Sequence, residues 1–310
     1  MMVEKSLREA YGDEIIEIGR KNPDIWVVDA DVGKSCLTLP FAHELPEQYV
    51  NCGIAEQGCA AMAAGLATCG KIPFITTYAV FGSMRMLEMI RQEICYPNLN
   101  VKIACSHGGL TPADDGASHQ APEDMGILRT IPNMRVVMGA DYWATRKLIR
   151  EAAKIEGPVY LRFTKGPIKP VYDEDVELTI GKANMLRDGR DVAIIANGDT
   201  VNIAVSAAEM LEEKGISARV LDMHTIKPLD VEAVTDCLVN IGKVITVEDA
   251  YIINGLGSAV SEVCAGMGKG IVKRIGVQDW FGQSGPYDKL LEINGITKED
   301  IVKNAEKLLK

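Results

Sequence analysis

Strand-length apolar runs alternate with segments of helical period along all 310 residues, and this alternation limits the possible folds more than any other feature. It is the mark of crossover units, in which each strand hands the chain to a helix that returns it parallel to its neighbour. In the first half, 25–30, 73–78, 101–105, 134–138 and 158–163 read as strands, with helices expected over 4–20, 55–69, 82–95 and 141–155. The second half continues with strands near 191–196, 217–222, 243–247 and 271–277, and helices near 201–214, 230–239, 256–266 and 298–309. Two α/β domains with mostly parallel sheets are expected, since the length exceeds what one core usually organises. The break is placed at KGPIKPVYDEDVELTIGK, where Pro167 and Pro170 precede acidic residues without helical period. The division is then 1–166, a linker at 167–184, and 185–310.

Several function classes are disfavoured. The net charge of -10, with no cluster of Lys and Arg, argues against a nucleic-acid partner, whose binding rests on phosphate neutralisation. Apolar runs such as IWVV before Asp29 and VAIIA around Ile194 are far shorter than the ~20 residues of a membrane span. The start, MMVEKSLREAYGDEI, has no apolar signal core, so a cytoplasmic chain is expected. The eight cysteines form no C-x-x-C pair and read as small core residues, and the four histidines form no zinc pattern, so no metal site is expected on this chain. There is no phosphate-binding G-x-x-x-x-G-K-[ST] loop and no G-x-S-x-G elbow, and INGLGSAV at 253–260 lacks the third glycine of a dinucleotide fingerprint.

Ligands of parallel sheets collect beyond the carboxyl ends of strands, and three loops of the first domain stand out there. NCGIAEQ places Glu56 at the start of a small-residue helix, where a carboxylate is favoured by the helix dipole; it reads as a helix cap or as a desolvated proton-exchanging group. PFITTYAVFGSMRMLEMI spaces Tyr78, Phe81 and Met84 three residues apart in a chain only 5% aromatic, which reads as core or as a wall for a flat heterocycle. CSHGGLTPADDGASHQAPED, residues 105–124, is too long and polar for a simple connection. Its Asp114 and Asp115 can accept from sugar hydroxyls, while His107 and His119 can donate to phosphate or shuttle protons near neutrality. The second domain shows no comparable group, and its His224 reads as structural.

In order along the chain, GIAEQ, the Tyr78/Phe81/Met84 wall, DGASHQ, DMHTIKPLD and the terminal DWFGQSGPYDKLLEINGITKEDIVKNAEKLL resemble the thiamine diphosphate enzymes of the transketolase family, and in particular the C-terminal subunit of split transketolases. The resemblance spans nearly the whole chain and implies a pyrimidine-binding domain followed by a transketolase C-terminal domain. It places Glu56 against the cofactor's aminopyrimidine, where it promotes formation of the thiazolium ylid. It places Phe81 and Tyr78 on the pyrimidine pocket, Met84 where an aromatic is common, and Asp31 on the cofactor side. By the same likeness Asp115 and His119 face the sugar's first hydroxyls. Arg8, Ser35 and His107 fall at the substrate phosphate, where the family's arginine is here Lys165, a point charge instead of a fork.

The family holds the cofactor diphosphate and Mg²⁺ through a G-D-G motif followed about thirty residues later by Asn, and this chain has neither. The resemblance therefore implies a separately encoded diphosphate-binding subunit that carries most of the Mg²⁺ contact, in a heterotetramer of two plus two. The activity implied is transfer of a two-carbon ketol unit from a ketose phosphate to an aldose. Alternatives of the same fold are a 1-deoxyxylulose-5-phosphate synthase, a 2-oxo acid dehydrogenase β subunit, and a non-catalytic scaffold subunit.

Overall fold

In a computed structural model describing residues 4–310, the expected alternation takes the form of two large sheets, beside one two-stranded pair. The first half contributes strands β1 (Ile25–Asp29), β2 (Tyr49–Asn51), β3 (Ile72–Tyr78), β4 (Lys102–Ser106), β5 (Arg135–Val137) and β6 (Val159–Arg162), with helices α1 (Leu7–Lys21), α2 (Glu56–Thr68) and α3 (Tyr142–Lys154). The second half contributes β7 (Asn184–Arg187), β8 (Val192–Ala196), β9 (Ala218–Asp222), β10 (Thr225–Lys227), β11 (Lys243–Tyr251) and β12 (Ile271–Val277). Its helices are α4 (Thr200–Glu213), α5 (Val231–Asn240), α6 (Leu256–Met267), α7 (Tyr287–Asn294) and α8 (Lys298–Leu309).

The first sheet has the order β10-β5-β6-β4-β3-β1-β2, parallel except for β10, and the second the order β12-β11-β8-β9-β7, parallel except for β7. Central strands such as β4 and β8 are buried on both faces, which is why β8 reads as an unbroken apolar run and not as an alternating one. Helix α1 starts at Ser6 with a reciprocal cap: the Ser6 N–H donates to Glu9 Oε2 at 2.7 Å, and the Glu9 N–H donates to Ser6 Oγ at 3.3 Å.

The structure departs from the sequence reading in two places that matter. Residues 82–95, expected as one helix, form wide π-type turns at Phe81–Arg85 and Ile90–Cys95 around a short α turn at Leu87–Met89. Gly82 lies within the first turn, and a Cβ there would sit 2.4 Å from Cys105 Sγ, so the close approach of this turn to β4 requires glycine. The second departure is β10, which leaves the second half to become the antiparallel edge of the first sheet, beside β5.

The segment 167–184 is fastened at several points. Pro167–Ile168 pairs with Lys5–Ser6, and Asp141 Oδ2 accepts from the backbone N–H groups of Val171 and Tyr172, both at 2.7 Å. Tyr172 then donates its hydroxyl to Asp222 at the end of β9, at 2.9 Å. Asp222 is fully buried, and burial pushes its carboxyl up to about 8. A carboxyl raised in the folded state stabilises below its ordinary range and loses that contribution as pH rises toward the folded value, at up to about 1.4 kcal/mol per pH unit. Asp222→Asn is therefore expected to flatten the fall in melting temperature between pH 5 and pH 8. An unchanged slope in thermal scans would count against this account.

Candidate functional site

Glu56 opens α2, and its side chain is buried although it carries a carboxylate. Ala55 before it has non-helical backbone and offers no side-chain cap, and Glu56 is the acidic residue of the first turn, at the positive end of the helix dipole. Its ion partner is Arg85 of the first wide turn, 3.5 Å away. Cys59, Ala60, Ala63 and Ala64 of α2 face the core, while Gly58, Ala61, Met62 and Gly65 are exposed, as is Ile54 just before the helix. Glu56 thus lies at the edge of a small-residue, apolar face.

The aromatic groups expected from the sequence come together at the strand ends. Tyr78, the last residue of β3, stacks on His107 with ring centroids 4.0 Å apart, and lies 6.0 Å from Phe81. The His119 ring meets Phe81 edge-on at 5.8 Å, and the Arg85 guanidinium lies over the Phe81 ring, 5.2 Å from its centroid. Arg85 therefore links the Glu56 carboxylate to the aromatic ledge. Met84 in the same turn is 39% exposed.

Beyond the ledge lie the polar residues. His107 occupies the left-handed backbone region (φ 63°) directly after β4, and its Nδ1 is 2.7 Å from Ser106 Oγ. Burial, and then the nearby charges of Arg8 and Lys165, pull its imidazole down to about 3. Both effects favour the neutral ring. Arg8 Nη1 donates to the Ser35 carbonyl at 2.9 Å, which brings together two of the residues assigned to phosphate. Lys165 Nζ lies 2.7 Å from Asp115 Oδ2, and this contact, ahead of other charges, holds the Asp115 carboxyl below its ordinary range. Arg8, Lys165, Thr111 and Asp114 line a cavity of about 350 Å³ together with Asp199 and Tyr287 from the second half.

Asp31 is exposed, with left-handed backbone (φ 64°), and accepts from Asn51 Nδ2 at 3.0 Å, tying the end of β1 to the loop that leads to Glu56. The internal structural carboxylate of this strand end is Asp29, which accepts from the Val32 N–H at 2.8 Å and from the Thr38 hydroxyl at 2.6 Å.

Sequence reasoning missed a buried charged group beneath the 105–124 loop. Arg162, at the end of β6, is fully buried, with Nε 3.0 Å from Asp124 Oδ2 and Nη2 donating to the Asp249 carbonyl at 2.7 Å. The Asp249 carboxylate accepts from the Leu110 N–H at 3.0 Å, and Tyr287 Oη lies 3.1 Å from it. Gly108 and Gly109 lie so close that a Cβ on either would sit 2.2 Å from the Arg162 side chain or the Asp249 carboxylate. The signal was present: an arginine inside the strand run VYLRF, and two successive acids inside VITVEDAY.

Fold and site together define a two-sheet α/β chain whose ligand-facing groups lie beyond the carboxyl ends of the first sheet. Residues 3–170 match the model for the transketolase pyrimidine-binding domain, and residues 181–301 match that for the transketolase C-terminal domain. The chain is 46% identical over 312 residues to a putative transketolase C-terminal section from Methanocaldococcus jannaschii, covering 99% of this chain and 98% of that protein. It is 40% identical to a subunit of the apulose-4-phosphate transketolase from Phocaeicola vulgatus, covering 98% of this chain and 97% of that one. It also matches rat transketolase at 34% identity, covering 97% of this chain but 49% of the rat protein. A solved structure described as the inactive β4 tetramer of a split-gene transketolase superposes with TM-score 0.90 at 45% identity, covering 98% of both chains. The chain belongs to the transketolase family. No helix among the described residues is long and apolar enough to cross a membrane.

Proposed function

We propose that this chain is the C-terminal subunit of a two-subunit transketolase, active with a separately encoded subunit that holds the cofactor diphosphate and Mg²⁺. The observation that carries this reading is the pattern of coverage: relatives named as sections or subunits align end to end, whereas rat transketolase aligns over about half its length. Self-association of this chain within a two-plus-two assembly is supported by the related structure described as a β4 tetramer, and by the exposed small-residue face of α2.

The residues present suit thiamine diphosphate. A buried carboxylate beside an aromatic ledge matches a flat ring that carries polar nitrogens along one edge. When bound, this cofactor supplies the nucleophilic carbon and the electron sink for breaking a bond next to a ketone. Glu56 would hold a proton at the ring edge, Phe81 and Tyr78 would support the ring face, and Asp31 and Met84 would flank the cofactor side. His119 and Asp115 would orient the sugar's first hydroxyls, with Arg8, Ser35, His107 and Lys165 toward its far end. The groups of this chain thus orient the substrate and move one proton.

The test is reconstitution with the diphosphate-binding subunit, thiamine diphosphate and Mg²⁺, followed by assay of ketol transfer between a ketose and an aldose. The expected result is turnover by the mixture and none by this chain alone. Release of carbon dioxide from pyruvate without ketol transfer would overturn the reading in favour of a decarboxylating relative.

A further inference from the structure

Beneath the candidate site lies a buried polar layer that its assigned residues do not account for. Ser35, Tyr78 and His107 stand on three different segments, and the chain neighbours Cys36, Thr77 and Ser106 meet in one connected group. All three neighbours are buried. Cys36 Sγ lies 3.0 Å from Ser106 Oγ and 3.8 Å from the Thr77 carbonyl, and Ser106 Oγ lies 2.7 Å from His107 Nδ1. The chain of contacts ends at the imidazole. Among the described residues His107 Nε2 has no hydrogen-bond partner, yet it is not one of the sealed side-chain atoms left without one, as His224 Nε2 is. It is thus the ring nitrogen left to face the site, where Arg8, Lys165, Asp115 and His119 are the charged or titratable groups around it.

Elementary acceptor strengths set the direction of the protons. The Ser106 hydroxyl has a single proton and two neighbours that could take it. Imidazole nitrogen is a strong acceptor and sulfur a weak one, so the hydroxyl donates to Nδ1, and the Cys36 thiol donates to Ser106 Oγ, the nearer of its two acceptors. A neutral imidazole holds one proton, and burial and the nearby cations favour that state. With Nδ1 accepting, the proton is on Nε2. The opposite order, with Nδ1–H donating to Ser106 and the hydroxyl donating to sulfur, would turn a lone pair toward the site and repel a ligand oxygen.

We propose that Ser106 is a positioning residue: by donating to His107 Nδ1 it fixes the tautomer in which Nε2–H faces the site as a neutral donor to a phosphate oxygen of the substrate. Cys36 completes the chain and ties the turn that carries Ser35 to the ring. The identity of the ligand rests on the transketolase reading; the tautomer does not.

The first measurement needs neither partner nor turnover. In the full chain labelled with ¹⁵N at its four histidines, solid-state magnetic resonance at neutral pH reads which nitrogen of each ring carries the proton, and His107→Gln identifies the His107 signals by their loss. The proton of His107 is expected on Nε2, and Ser106→Ala should move the Nδ1 resonance downfield because that nitrogen loses its donor. A proton on Nδ1, or an Nδ1 resonance unmoved by Ser106→Ala, would overturn the proposal. The second measurement is kinetic, in the reconstituted complex with D-ribose 5-phosphate as acceptor. Ser106→Ala should raise KM about tenfold with little change in kcat, as expected for one weakened hydrogen bond to a charged ligand, and Ser106→Thr, which keeps a hydroxyl, should recover most of that loss. A fall in kcat with KM unchanged would reduce Ser106 to a packing role and also overturn the proposal. Absence of transfer by the wild-type complex would instead defeat the transketolase reading, and the resonance measurement would still decide the tautomer.

Discussion

Glu56→Gln is expected to lower ketol transfer by the reconstituted complex by about 10²–10⁴-fold, the usual contribution of a positioned proton-exchanging group. Glutamine keeps the length and the polar end of the side chain but cannot hold and release the proton at the ring edge. The structural cost should be small. The Arg85 partner is 3.5 Å away and half exposed, so the ion pair contributes little, and loss of a carboxylate from a helix start costs about 0.3–1 kcal/mol. Melting of the isolated chain should therefore barely move while turnover collapses, and Glu56→Asp should recover part of the rate. Near-normal turnover of Glu56→Gln would remove Glu56 from the proton chemistry.

That Glu56 could be picked out at all follows from local chemistry. A strand end, a turn and a run of small residues lie within twenty positions of one another, and each has a compositional signature. Tyr78 and Phe81 were legible in the same way, because the junction of β3 with the following turn is continuous in sequence. The strands were legible because their double burial leaves mostly apolar runs, such as VAIIA in β8. The groups that escaped are those whose meaning depends on distant partners. Lys165 looks like a free cation until Asp115, fifty positions earlier, is found on it. Thr225–Lys227 is too short to announce a strand, and nothing local says that it crosses to the first sheet. The wide turns after Tyr78 keep a helical pattern of side chains, so periodicity cannot tell them from an α-helix; the contact of Gly82 with Cys105 can.

The placement of the 105–124 loop therefore depends on a charge that the sequence hid inside a strand. Arg162→Met should destabilise the protein by about 3–5 kcal/mol, because it leaves Asp124 buried without its countercharge and removes the donor to the Asp249 carbonyl. Tyr160 would still donate to Asp124, at 2.6 Å, but a neutral hydroxyl does not replace a guanidinium. The pH dependence gives an independent check. Burial, together with the neighbouring Asp199, already pushes the Asp249 carboxyl up to about 7, and loss of Arg162 raises it further. A carboxyl raised in the folded state stabilises below its ordinary range of about 4 and loses that contribution as pH climbs toward the folded value. The deficit of Arg162→Met should thus be larger at pH 8 than at pH 5.5, as read from urea midpoints. Pairing it with Asp124→Asn should restore more than half of the lost stability, since removing both charges leaves neither one uncompensated. Equal deficits at the two pH values, or no recovery in the double variant, would mean that Arg162 acts by packing alone. The catalytic consequence follows from the same contacts: Gly108, Gly109 and Leu110 rest on Arg162 and Asp249, so Arg162→Met should also lower turnover at temperatures where the protein stays folded, through displacement of His107 and His119.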